Sequence, residues 1–210
     1  IIEMEDAEFW LVDRLIWQSN KAPTPYAWTS LNRHMLKASF EFCLHFTNNP
    51  LKLQSNNQRV LLPHTENHKS FVRNGGTRTA AINSDGSHRK NVGDYSNTDL
   101  DKGKLASNTL YFGNKCKHNE AVNRFAKQHG MPTHGAKMPY RLAEFLVKYL
   151  CPAGGLVLDP FGGSGTTAQA CEDTGRRWIS IEPILQYIKQ SFVRFSSLTD
   201  DVWYNPAFLA

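Results

Sequence analysis

Between Asp159 and Glu182 the chain carries residues suited to holding a nucleotide-like molecule. The run Asp159-Pro160-Phe161-Gly162-Gly163-Ser164-Gly165-Thr166 leads into Ala168, so Gly163, Gly165 and Ala168 satisfy the spacing G-x-G-x-x-G/A. Such a turn lays backbone N–H groups against a ligand where a helix begins. Glu182 follows Gly163 by 19 residues, where a carboxylate can reach ribose hydroxyls. Charge narrows the ligand further. Asp159 stands directly before the loop, and a carboxylate there repels a dinucleotide pyrophosphate seeking the positive end of a helix. A cationic ligand is favoured by the same charge. S-adenosylmethionine, with a sulfonium, an amino group and no phosphate, suits two acids better than NAD does. Taken alone, Asp159 reads equally as a loop-capping carboxylate, and the glycine spacing alone also permits an NAD-dependent oxidoreductase.

The elements that must position these groups follow from local pattern. Residues 155–159 form a short buried-type strand, Thr166 to Asp173 a helix stopped by Gly175, and Trp178 to Ile181 a second strand ending at Glu182; together they make a β-α-β unit. Ile184, Ile188 and Phe192 mark a helix after it. Upstream, Asn119 is expected to cap a helix ending before Gly130. Pro139 opens another, with Leu142, Phe145, Leu146, Tyr149 and Leu150 on one face. In the first 49 residues Phe9 to Trp17 reads as a strand, Ser30 as the cap of a short helix through about Lys37, and Phe40 to Phe46 as a strand. Its alternation puts Phe40, Phe42, Leu44 and Phe46 on one face and Glu41, Cys43 and His45 on the other.

The residues Asp159 to Thr167, followed by Arg176-Arg177-Trp178-Ile179-Ser180-Ile181-Glu182, resemble the AdoMet-binding motif of the DNA amino-methyltransferases. His134-Gly135-Ala136-Lys137-Met138-Pro139 resembles that family's His-Pro-x-Lys/Arg-x-Pro element, with Gly135 where the family usually has proline. Ser107-Asn108-Thr109 and Asn114 resemble its cytosine-N4 branch, and Asp13 to Trp17 with Glu41 fit later catalytic-domain strands more loosely. The resemblance implies an α/β fold with a Rossmann-like AdoMet-dependent methyltransferase sheet and an irregular basic insert. It implies a cofactor site of Lys137, Asp159, Pro160, Phe161, Gly162, Gly163, Ser164, Gly165, Thr166 and Glu182. It also implies methyl transfer from S-adenosyl-L-methionine to an exocyclic amine of double-stranded DNA, cytosine N4 favoured over adenine N6. A restriction endonuclease partner, or a phage or solitary modification enzyme, and a prokaryotic or phage-infected cytoplasm go with that family.

The order of parts resembles the family's permuted beta class: the end of the catalytic half over 1–49, a target-recognition insert over 50–118, and the AdoMet-binding half over 119–210. The family's catalytic tetrapeptide, Asp/Asn/Ser-Pro-Pro-aromatic, does not occur, since the sequence contains no Pro-Pro. In this order its place is before Ile1. Asn205-Pro206-Ala207-Phe208 is a near match but reads as a C-terminal turn. A DNA-binding remnant that has lost methyl transfer is the rival reading beside the oxidoreductase.

Composition agrees with a folded chain: 210 residues, 40% hydrophobic and 20% charged, in the globular range. No run approaches the ~18 apolar residues of a membrane span, so a soluble, cytosolic protein is expected. Cys43, Cys116, Cys151 and Cys171 lack the spacing of a zinc site or a disulfide framework, and no metal is expected. Between Pro50 and His118 eleven Lys/Arg face five Asp/Glu, while the rest of the chain sums to −1. Arg59, Arg73, Arg78, Arg89 and Lys90 are therefore the candidates for DNA phosphate or guanine contact. Trp17, Trp28 and Trp178 read as core, and His134 as a structural hydrogen-bonder.

Overall fold

The computed structural model describes residues 1–19, 24–79, 84–87, 93–113, 115–195 and 205. In chain order the elements are α1 (Ile2–Asp6), β1 (Trp10–Gln18), β2 (Phe40–Thr47), α2 (Glu66–Arg73), β3 (Thr77–Arg78), β4 (Gly93–Asp94), β5 (Thr109–Tyr111), α3 (Lys117–Gln128), α4 (Tyr140–Leu150), β6 (Leu156–Asp159), α5 (Thr166–Asp173), β7 (Arg177–Ser180) and α6 (Leu185–Ser191). Residues 1–56 with 107–210 form one compact unit, and residues 57–106 another.

In the larger unit β1 is the middle strand of a sheet ordered β2-β1-β5. It runs antiparallel to β2, with Leu15 opposite Cys43 and Trp17 opposite Glu41, and the register slips between Leu11 and Asp13. It runs parallel to β5, with Trp17 opposite Leu110. The β-branched and aromatic content of β1 suits this half-buried pleat. Leu15, Trp17 and Leu110 pack with Leu142 of α4, flanked by Phe112, Phe145, Leu146 and Tyr149. Trp17 also donates its indole N–H to the Phe112 carbonyl at 2.8 Å. The next face of α4 serves a different partner: Ala143 and Val147 pack on Ala170 and Cys171 of α5, with Val157 and Trp178 beside them. There β6 and β7 pair in parallel, Leu156 opposite Arg177 and Asp159 opposite Ser180. The β6-α5-β7 crossover is thus present, and α4 packs against both sheets.

Several expectations change. Among the described residues the strands make small separate sheets of mixed direction, β2-β1-β5, β3-β4 and β6-β7, rather than one continuous sheet. The helix expected from Ser30 is absent; a single wide turn, with Asn32 donating to the Ala27 carbonyl at 2.8 Å, occupies Ala27–Leu31. Leu31, Met35 and Leu36 are exposed, and a helix that short is marginal without an apolar face to bury. Trp28 is exposed too, not core. Asn119 does not cap α3, which begins at Lys117 after Cys116; it is buried inside the helix, and its side chain is committed elsewhere. The alternation of β2 is observed, but Glu41, Cys43 and His45 form its more covered row, with Cys43 against the α4 core. Phe40, Phe42 and Leu44 face outward, Phe42 at 60% exposure. Leu156, Leu158, Ile179 and Ile181 of the second sheet are exposed as well.

The smaller unit is held by short local structure. Thr65 caps α2 by accepting the His68 N–H, and Leu62 and Lys104 exchange backbone hydrogen bonds of 2.9 and 2.7 Å. Gly76 lies against the backbone of Tyr95 and Ser96. Rings take the place of aliphatic packing: His64 stacks on His68 at 4.8 Å, and Phe71 and Tyr95 meet at 6.1 Å. This unit holds eight basic and five acidic residues.

Since Leu142 is 1% exposed and sits where the first sheet meets α4, Leu142→Ala is expected to destabilise the chain by about 2–5 kcal/mol in denaturant titration. Leu158→Ala, at an exposed site, is expected to change stability by about 0.5 kcal/mol or less.

Candidate cofactor site

The glycine loop sits at the carboxyl ends of β6 and β7, where parallel strands leave a crevice for ligands. Asp159 closes the turn after β6: its Oδ1 accepts the Phe161 N–H at 3.0 Å, the contact expected of a loop-capping carboxylate, and Oδ2 is left for another donor. Gly162 donates to the Ile181 carbonyl at 2.9 Å, and a Cβ at this position would lie 1.8 Å from the Ser180 Oγ. A side chain here would force the Ser180 hydroxyl to turn away and would crowd the Ser180 Cβ, 3.2 Å distant. Gly165 enters α5 at φ +76 with Ser191 against it, a left-handed conformation that disfavours any side chain. Glu182 fastens the loop from the other strand. One carboxylate oxygen accepts the Gly163 N–H at 2.8 Å and the other accepts the Ile184 N–H at 2.8 Å. Each oxygen retains a second lone pair for a ligand hydroxyl.

The segment 134–139 forms a second wall. The His134 Nε2 is 3.4 Å from where a Gly163 Cβ would stand, and its ring meets Tyr187 edge-on at 4.4 Å. Its Nδ1 is buried without a hydrogen-bond partner, so the expected structural hydrogen bond of this ring is not made. Lys137 donates its Nζ to the His134 carbonyl. Burial pulls the Lys137 ammonium below its ordinary range, with the Arg194 charge adding to the effect. Burial likewise lowers His134, reinforced by Lys137 and opposed by Glu182. A cavity of about 1020 Å³ opens beside the loop, lined by Gly163, Gly165, Ile181, Glu182, Ile188 and Phe195 among others. Asp159 and Lys137 lie outside that lining, and Phe161 and Pro160 point to the surface, Phe161 at 87% exposure.

Ser164 and Thr166 are buried, and both bond to Arg194, a residue that no motif marks. The Arg194 guanidinium also reaches Gln169 and Asn119; its only sequence signal is one basic residue within the apolar run Phe192 to Phe195. Desolvation brings it down to about 10, so it stays charged at neutral pH.

The basic candidates are divided. Arg73 is exposed in the last turn of α2. Arg59 is half-buried in a 3-10 turn. Arg78 lays its guanidinium 4.7 Å from the Phe71 ring centroid and 5.7 Å from that of Tyr95, a cation–π contact that gives it a packing role within its own unit. Arg89, Lys90 and Asn114 lie outside the described residues, as do Pro206, Ala207 and Phe208 of the near-match run. Among the described residues no cluster of metal-ligating side chains occurs, and no helix is long and apolar enough to cross a membrane.

A mixed α/β chain with a glycine loop clasped between two acidic strand ends is the class that these features define. Residues 1–193 match the profile of the DNA methylase family N6_N4_Mtase, and the chain belongs to that family, whose members use S-adenosylmethionine. The type II methyltransferase M.PvuII of Proteus hauseri is 26% identical over 199 residues, covering 91% of this chain and 56% of that protein. M.BglI of Bacillus subtilis is 47% identical over 58 residues, 28% of this chain and 17% of that one. The chain thus spans about half the length of M.PvuII. The solved structure described as PvuII DNA methyltransferase (cytosine-N4-specific) superposes with a TM-score of 0.63 at 22% identity, covering 96% of this chain and 56% of that one; the likeness is one of fold.

A lowered histidine binds its proton less well folded than unfolded, so stability is lost as pH falls below the unfolded value near 6.5. His134 and His45 are both lowered by burial. The melting temperature is expected to drop from pH 7.5 to pH 5.5, and His134→Gln to flatten part of that slope in a thermal-melt series.

Proposed function

We propose that this chain is the AdoMet-binding part of a DNA amino-methyltransferase acting on double-stranded DNA, with cytosine N4 preferred over adenine N6. One observation carries the cofactor assignment: the glycine loop lies between two carboxylates, Asp159 at the end of β6 and Glu182 just past the end of the adjacent parallel β7. The site's residues fit S-adenosylmethionine. Glu182, which lines the cavity, holds the loop and keeps lone pairs for ribose hydroxyls; Asp159 Oδ2 and the Lys137 ammonium, outside that lining, are assigned to the ligand's amine and carboxylate at its edge. The His134 ring borders the loop through Nε2, 3.4 Å from where a Gly163 Cβ would stand, and its buried Nδ1 has no hydrogen-bond partner. When bound, the cofactor provides a methyl group on a positively charged sulfur. Asp159 also makes the site hostile to a pyrophosphate, which disfavours the oxidoreductase.

The sheet with its β6-α5-β7 crossover is read as part of a Rossmann-like methyltransferase domain, with the basic insert over 50–118 as its target-recognition module. Membership of the DNA methylase family supports DNA as the substrate. The cytosine-N4 preference is supported by the cytosine-N4 specificity named for the PvuII methyltransferase structure. Arg59, Arg73, Arg89 and Lys90 are proposed for DNA contact through phosphates; Arg78 serves it indirectly, through packing. The catalytic tetrapeptide is proposed to lie in polypeptide outside these 210 residues, and a restriction endonuclease and a prokaryotic cytoplasmic setting accompany the reading.

Calorimetric titration of the chain with AdoMet tests the proposal, with NADH as the competing ligand. AdoMet is expected to bind and NADH not to. Loss of one charge-assisted hydrogen bond in Asp159→Ala is expected to weaken AdoMet by about tenfold or more. Binding of NADH in preference to AdoMet would overturn the assignment. For the insert, Arg73→Ala is expected to lower the slope of log affinity against log salt by about one on duplex DNA; an unchanged slope removes Arg73 from the interface.

A further inference from the structure

We infer that Arg194 is a positioning residue for the cofactor site, fixing the glycine loop and the 134–139 wall in one geometry without itself touching the ligand. This rests on the AdoMet-binding reading of the loop. The guanidinium donates from Nε to the Ser164 carbonyl, from Nη1 to Gln169 Oε1 at 2.7 Å, and from Nη2 to Asn119 Oδ1 at 2.8 Å and Thr166 Oγ1 at 3.1 Å. A longer contact of 3.5 Å runs to the Ser164 Oγ. Its acceptors come from α3, from the loop and from the first turn of α5, so one planar group ties three segments to the 3-10 turn that follows α6.

The ties reach further through the acceptors. Asn119, whose oxygen Arg194 holds, donates its Nδ2 to the Met138 carbonyl at 3.1 Å, which joins the second wall to the first. Gln169, whose oxygen is likewise held, turns its Nε2 to the His118 Nδ1 at 2.7 Å. With the amide nitrogen as donor, His118 accepts at Nδ1. Its ring lies flat on Tyr140, centroids 4.1 Å apart, and the Tyr140 hydroxyl donates to Asp173 at 2.7 Å. The chain Arg194–Gln169–His118–Tyr140–Asp173 therefore runs from the loop back to the far end of α5.

Placing a cation here has a cost that scaffold needs alone do not explain. All the acceptors of Arg194 are neutral oxygens, and the positive end of α5 lies beside it, where a cation is disfavoured. What a guanidinium offers in exchange is a rigid fork of five donors. A lysine ammonium has three donors on a flexible stem and cannot span Ser164, Gln169 and Asn119 with the same geometry. The geometry it preserves is that of Ser164 to Thr166, the backbone on which the cradle for the ligand is built.

The test is AdoMet affinity of the folded chain, measured by calorimetry at low temperature, where circular dichroism shows each variant folded. A purely structural role lowers the melting temperature and leaves the affinity of the folded fraction unchanged; Leu142→Ala is the control for that behaviour. Arg194→Met is expected to weaken AdoMet by about tenfold or more, matching the loss of charge-assisted hydrogen bonds. Arg194→Lys is expected to restore part of the melting temperature while leaving affinity at least about threefold weak. Amide exchange is expected to quicken at 163–166 and 134–138, and not within α4. If Arg194→Met does not fold, Asn119→Ala and Gln169→Leu decide by the same measurement: about a threefold or greater loss supports the role, and a smaller one overturns it. Binding by the parent chain with unchanged affinity in the folded variants overturns the role of Arg194 alone. Failure of the parent chain to bind AdoMet overturns the reading of the site on which it rests.

Discussion

Helix α4 is the constraint on which the larger unit depends. It buries Leu142 against the β1–β5 sheet and, one residue on, Ala143 against α5 of the β6–β7 crossover. A helix apolar over so wide an arc is a central element rather than a surface one. Two small sheets that would be unstable by themselves share this wall, and the cofactor loop inherits its position from it. Met138 and Pro139, at the entrance of the same helix, connect the wall to the site through Asn119.

Around the loop, carboxylates act first on the backbone and only then on a ligand. Asp159 and Glu182 accept N–H groups from Phe161, Gly163 and Ile184, which leaves the loop shaped before anything binds. In the proposed site, their unused lone pairs would favour a cationic ligand. The same two residues fasten the loop and, in the proposed function, also face the ligand, two roles that one carboxylate can hold together.

The parts of the site that lie close in sequence were legible there. Residues 156–182 carry strand, loop, helix, strand and acid within one short stretch, and the observed elements follow that reading closely. Alternation also identified β2 correctly as a strand. It could not say which row would face the core, because period two marks two faces without ranking them, and the larger apolar row of Phe40, Phe42 and Leu44 is the exposed one. The hub at Arg194 was invisible for a different reason. Its acceptors are spread as far as 75 residues upstream, and neither Asn119 nor Gln169 carries a spacing rule. Asn119, expected to cap α3, instead lies inside that helix and joins Arg194 to the Met138 carbonyl.

The outward rows of both sheets bear on how the chain behaves in a test tube. Phe40, Phe42 and Leu44 on one sheet, and Leu158 and Ile179 on the other, present aliphatic and aromatic area to water, well beyond scattered single side chains. Such area favours association between chains when water is the only solvent for it. Sulfate and phosphate strengthen apolar association. Those salts would therefore strengthen contacts made through the exposed rows of the two sheets.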